Sequence, residues 1–251
     1  MNYKRLIPII TPILIFVLSQ IFLATPKVFY YALGIGVLII VISVKYLSRG
    51  IKNNWLIFTI SPVLFFLSFS LYSSLIANSF LIQFIFVLCL WFIFSYLKNL
   101  YYFLSYEVPE RAQKLDHLIL SGGFLTFFAL TSSLYGLPIF LNWPFFKFLL
   151  VFIPLAFLLL IQFFAIKKIS FKPFLPFIGI NILILSELAL VLSFLPFNFN
   201  VLGFLLTIFF YFFLLVFRLR LREELNYHNL KLPIVFSLLI IVITILSARW
   251  L

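Results

Sequence analysis

Nine apolar stretches, each about as long as a bilayer is thick, follow one another with linkers too short to hold a soluble domain. A helix needs about 20 mostly apolar residues to cross the hydrocarbon. The stretches are 6–24, 28–46, 55–76, 80–97, 118–136, 148–166, 174–195, 201–217 and 232–251. They occupy 175 of the 251 residues. The expected fold is therefore an all-α polytopic integral membrane helix bundle, a single transmembrane domain over residues 1–251. Composition agrees: 65% of the residues are hydrophobic and 10% charged, whereas about a quarter of an ordinary soluble domain is charged.

Threading nine spans sorts the 18 basic residues. One side receives Lys4, Arg5, Lys45, Arg49, Lys52, Lys98, Arg111, Lys114, Lys167, Lys168, Lys172, Arg218, Arg220, Arg222 and Lys231; the other receives Lys27, Lys147 and Arg249. Basic residues in short loops stay cytoplasmic, so the N-terminus is expected inside and the C-terminus outside, in a cytoplasmic membrane of bacterial type. Adding or losing one span would scramble this segregation. Tyr30, Tyr31, Tyr72 and Tyr135 fall at outer span ends, and Tyr46, Tyr96 and Tyr227 at inner ends, where amphipathic rings favour the headgroup layer. Residues 1–24 read as a span and not as a cleaved signal, because no small-x-small cleavage site follows the apolar run.

The linkers add local detail. Thr25-Pro26-Lys27 and Ala77-Asn78-Ser79 force tight antiparallel hairpins. Residues 99–106 are placed as an interfacial extension of span four. The linker from Tyr106 to His117 opens a short solvated helix at Pro109, with Glu110 and Lys114 as an i,i+4 pair. Arg218, Arg220 and Arg222 continue span eight beyond the hydrocarbon.

Helices in lipid associate through close packing and polar contacts. In span five Gly122, Thr126, Ala129, Ser133 and Gly136 follow a 4-3-4-3 spacing, which predicts one narrow packing face. Gly179, Ser186 and Ser193 give span seven a weaker stripe. Pro62 and Pro154 lie far enough inside their spans to remove a helical hydrogen bond.

Candidate chemistry is sparse. Glu187 is the one acid inside a span, where a charged carboxyl is costly, so it is expected to be neutral or to face protein or water. Gln20 and Gln83, together with Thr131, Ser132 and Ser133, lie at a similar depth and are candidate partners in a binding site. Glu107, Glu110, Asp116 and His117 are candidate acid–base groups of a lipid-headgroup enzyme. Arg218, Arg220, Arg222, Lys167 and Lys168 are candidate contacts for anionic headgroups.

Absences narrow the classes further. The only histidines, His117 and His228, lie outside the spans, which removes a bis-histidine haem or a histidine-rich metal site within the membrane. The only lysine within the nine stretches is Lys45, at the inner end of its span, so none lies mid-span for a retinal Schiff base, and no phosphate-binding loop occurs. No cofactor and no metal is expected. The dispersed basic residues form no nucleic-acid motif, so the partners expected are membrane lipids and other integral membrane proteins. Three functions follow in order: a non-enzymatic membrane component, a carrier of a small solute or lipid using Glu187, and a headgroup enzyme using the 107–117 linker.

Overall fold

The structure, a computed structural model, describes residues 3–49, 55–106, 109–162, 172–221 and 226–247. Among them are nine α-helices and no strand: α1 (Ile7–Ala24), α2 (Phe29–Leu47), α3 (Trp55–Ser73), α4 (Ser79–Tyr106), α5 (Pro109–Leu141), α6 (Phe145–Ile161), α7 (Leu175–Ser193), α8 (Phe199–Leu221) and α9 (Tyr227–Ser247). Eight are long and apolar enough to cross a membrane. The exception is α6. Its 17 residues reach about 25 Å at the helical rise, short of a hydrocarbon layer of about 30 Å. Most of the residues that would complete the expected span 148–166 lie outside the described residues.

Helices α4 and α5 exceed their spans by the most, at 28 and 33 residues. The expected extension of span four is helical, and α4 runs on to Tyr106. The short helix expected from Pro109 is not separate from span five. Pro109 opens α5, where its missing N–H is not needed, and Glu110 in the first turn complements the helix dipole. No Gly or Pro follows until Gly122, so nothing stops the helix before it enters the apolar stretch. No ion pair joins Glu110 to Lys114 among the described residues. At its far end α5 stops at Asn142, whose φ of 52° is left-handed, a conformation that Asn tolerates better than most residues. The hairpin before α4 is capped by Asn78, whose Oδ1 accepts the N–H groups of Phe80 at 2.9 Å and Leu81 at 3.4 Å. Asn198 does the same before α8, accepting from Asn200 at 3.0 Å.

The chain divides into two compact units, residues 1–126 with 161–170, and residues 127–160 with 171–251. In the first unit α1 packs on α2 and α4, and α3 packs on the same two helices. Its centre is aromatic: Phe65 stacks on Phe92 with ring centroids 3.8 Å apart. Tyr96 beside them donates its hydroxyl to the carbonyl of Phe58 at 2.7 Å. The partner is explained by the sequence. Residue 62 would normally bond that carbonyl, but Pro62 has no N–H. A hydroxyl from α4 fills the gap left in α3.

In the second unit the later part of α5 is the central element. Phe127 stacks on Phe210 of α8 at 4.0 Å and meets Phe152 of α6 edge-on. Tyr135 packs beside Phe148 of α6 and donates to the carbonyl of Ala189 on α7 at 2.8 Å. Helices α5 and α8 come close at Gly203 of α8. A Cβ built there would lie 2.6 Å from the backbone nitrogen of Ser132 and 2.8 Å from its Cα. Thr207 donates to the Gly203 carbonyl at 2.6 Å, and Thr131 reaches the same oxygen at 3.2 Å. Helix α9 packs on α8, and none of its described side chains is buried.

Candidate functional site

Helix α7 has two unlike faces. Ile178, Asn181, Ile182, Leu185, Ala189 and Leu192 are buried. Ile180, Leu183, Leu190, Val191 and Phe194 are exposed, from 40% to 79% of their surface. At about 100° per residue the exposed positions fall within one arc of about 160°. Glu187 lies inside that arc and is itself exposed. It forms no hydrogen bond or ion pair with any described residue. A carboxyl group therefore stands near mid-helix on an apolar surface, about 4.5 Å along the axis from the helix midpoint. Asn181 is on the buried side, donating to the Phe177 carbonyl at 2.7 Å, so Asn181 and Glu187 share no site.

Gly179 and Ser193 are exposed and Ser186 half-buried, so the small-residue stripe of span seven borders this same face. A Cβ at Gly179 would meet nothing within 4 Å. The stripe does not pack within the unit. The span-five residues behave otherwise: Gly122, Thr126, Ala129, Ser133 and Gly136 are all buried, and the ring of Phe92 occupies the space a Cβ at Gly122 would need. Sequence reasoning misses Gly203, a lone glycine in an apolar run whose importance depends on the Ser132 backbone opposite it.

The other candidates are placed as follows. Gln20 and Gln83 hydrogen-bond reciprocally, amide to amide, at 2.8 and 3.1 Å; both are in the first unit, while Glu187, Thr131, Ser132 and Ser133 belong to the second. Glu107 lies outside the described residues. Glu110 and His117 are exposed on one face of α5, seven residues apart, and Asp116 is half-buried about 100° round the helix. Nothing in this register converges the three on a single reacting atom. Among the described residues no group of three His, Cys, Asp or Glu side chains gathers. Arg222, Lys167 and Lys168 lie outside the described residues. Arg220 sits over the ring of Phe177 at 5.6 Å.

The basic residues at the start of the chain are better defined. Lys4 donates to the backbone carbonyl of Arg49 at 3.1 Å, and the Arg49 guanidinium lies 4.8 Å from the centre of the Tyr46 ring. Lys45 lies over Trp55 at 5.5 Å. Arg5 donates to the Tyr106 hydroxyl at 3.4 Å. Arg111 ties the start of α5 to α4, donating to Asn99 at 3.2 Å while lying over Tyr102.

The chain matches no family model, no curated protein and no solved structure.

Proposed function

We propose that the protein is a non-enzymatic component of a membrane that binds a partner membrane protein through the exposed face of α7. The observation that carries this reading is Glu187, a carboxyl group on an apolar face with no partner among the described residues. A charged side chain at the centre of a bilayer-spanning helix costs about 2.5–3.5 kcal/mol on insertion scales. Exposure to lipid gives nothing back, whereas an interhelical hydrogen bond returns about 0.6–2 kcal/mol. The partner is accordingly a transmembrane helix with a Lys, Arg or amide side chain at the depth of Glu187. The Gly179 stripe along the same face supports it, since small residues let a second backbone come close.

A photocrosslinking residue introduced in native membranes at Leu183 or Leu190 tests the reading, with Leu38 on α2 as the control. The expected adduct at the α7 positions is one protein segment bearing a basic or amide residue at that depth. Glu187→Leu lowers its yield about tenfold, and exchanging the two charges between Glu187 and a basic partner restores it. Identical lipid adducts at α7 and α2 would refute the assignment, as would a protein adduct indifferent to Glu187→Leu.

A further inference from the structure

The hairpin of α1 and α2 is open along one side. A groove of about 460 Å³ runs between the helices from their charged end, walled by Ile7, Ile10 and Leu14 on one side and Ile39, Ile42 and Tyr46 on the other. The lining runs from Ile7 to Leu14 on α1 and from Ile39 to Tyr46 on α2, a length of about 10 Å on each helix. The volume falls in the range of about 300–1,000 Å³ typical of sites for small organic ligands.

The floor is polar but internally satisfied. Ser43 donates its hydroxyl to the Ile39 carbonyl at 2.7 Å. That leaves Thr11 as the donor in the 2.7 Å contact between the two hydroxyls. The floor therefore asks nothing of an occupant, and the walls accept hydrocarbon.

The mouth has a definite sign. Tyr46 is both a wall of the groove and the ring on which Arg49 stacks, so the guanidinium is held at the rim. Lys4 donates to the Arg49 backbone carbonyl, which puts its ammonium beside residue 49 with further donors unspent. Lys45 is one residue from Tyr46. None of Lys4, Arg5, Lys45 and Arg49 forms an ion pair among the described residues. An apolar slot whose open end carries two adjacent cations matches a lipid with an anionic headgroup.

We propose that the α1–α2 groove binds one anionic phospholipid, with an acyl chain along Ile10, Leu14 and Ile42 and the phosphate between Lys4 and Arg49. This site is separate from the α7 face and does not depend on it.

The test is lipid retention by the full chain in detergent, read by native mass spectrometry with dioleoyl phosphatidylglycerol or dioleoyl phosphatidylcholine added. The wild-type chain is expected to hold one phosphatidylglycerol with at least about tenfold preference, from about two basic contacts at the headgroup. The double change Lys4→Gln with Arg49→Gln removes the preference. Ile42→Trp fills the slot and weakens both lipids. Arg218→Gln with Arg220→Gln, and separately Glu187→Leu, leave the preference intact. Equal retention of the two lipids by the wild-type chain overturns the proposal without need of any variant. So does a preference that survives loss of Lys4 and Arg49, or one that moves with Arg218 and Arg220. Displacement of the lipid by glycerol phosphate alone would assign the cations to free phosphate and also defeat it.

Discussion

Helices α5 and α7 carry the same kind of sequence signal and put it to opposite uses. Each has small residues recurring on one face. In α5 that face is buried along its length, from Gly122 to Gly136. In α7 the stripe from Gly179 to Ser193 lies on the exposed side, with open space at Gly179. Small residues permit a close approach, but they do not say what approaches. The decision is made by the rest of the helix. Helix α5 has large apolar residues beside its stripe, Phe127, Leu130 and Leu134, that are themselves buried. The opposite side of α7 is already occupied by Ile178, Ile182 and Leu185, which leaves the stripe outside.

The polar groups repeat the contrast. Tyr96 meets a carbonyl that Pro62 leaves without a donor, and Tyr135 meets the carbonyl of Ala189. Glu187 meets nothing among the described residues. If the inward contacts carry the fold and the outward ones serve a partner, substitutions on the two sides should separate stability from association.

The largest loss is expected at Gly203→Ala. The new methyl group would press on the Ser132 backbone, which cannot rotate away as a side chain can. Overpacking of this kind costs typically about 1–3 kcal/mol, and contact with backbone puts it at the upper end. The melting temperature of the purified protein, followed by fluorescence-detected size exclusion after heating, should fall clearly. An unchanged melting curve would mean that α5 and α8 do not approach as described.

Next comes Tyr96→Phe, which strands the Phe58 carbonyl in the first unit. A cost of about 1–2 kcal/mol is expected. The cause can be isolated, because Pro62→Ala restores a backbone donor for that same carbonyl. The double variant should recover most of the loss on the same melting assay. Simple additivity of the two changes would sink the explanation.

Glu187→Leu should reverse the sign. Removing a polar group from an apolar face leaves the isolated protein unchanged or slightly more heat-resistant, while the crosslinked partner is lost. A drop in melting temperature comparable to that of Tyr96→Phe would show instead that the carboxyl supports the chain's own fold.

Much of the architecture is legible in the amino-acid sequence. Apolar runs of span length locate the nine helices among the described residues, because burying backbone hydrogen bonds in lipid leaves a chain little choice but helix. The 4-3-4-3 spacing in span five identifies a face that is buried. Boundaries are less legible where a polar sequence continues a helix: the 109–117 segment reads as a linker by hydropathy and as α5 by its lack of breakers. The site is the least legible. Nearly every face of every span is apolar, so periodicity does not say that Glu187 points outward, that Gln20 faces Gln83, or that Lys4 reaches the Arg49 carbonyl. Those facts depend on which helices are neighbours, and that is set by a few close contacts such as Gly203 against Ser132, which one sequence does not flag.

The smallest effect, and the sharpest use of the contrast, belongs to Gly179→Ala. Gly is worse than Ala in a helix interior by about 1 kcal/mol in water, and the added methyl group meets no atom within 4 Å. Stability of the isolated chain should therefore stay level or rise by a fraction of that amount. The same methyl group would stand between α7 and any helix packed against its stripe, so the crosslinking yield from Leu183 should fall. A lone lipid-facing glycine predicts the first result without the second. If the yield holds while the melting temperature rises, the α7 stripe is an accident of composition, and Glu187 is left without the close backbone contact that a partner helix would use to reach it.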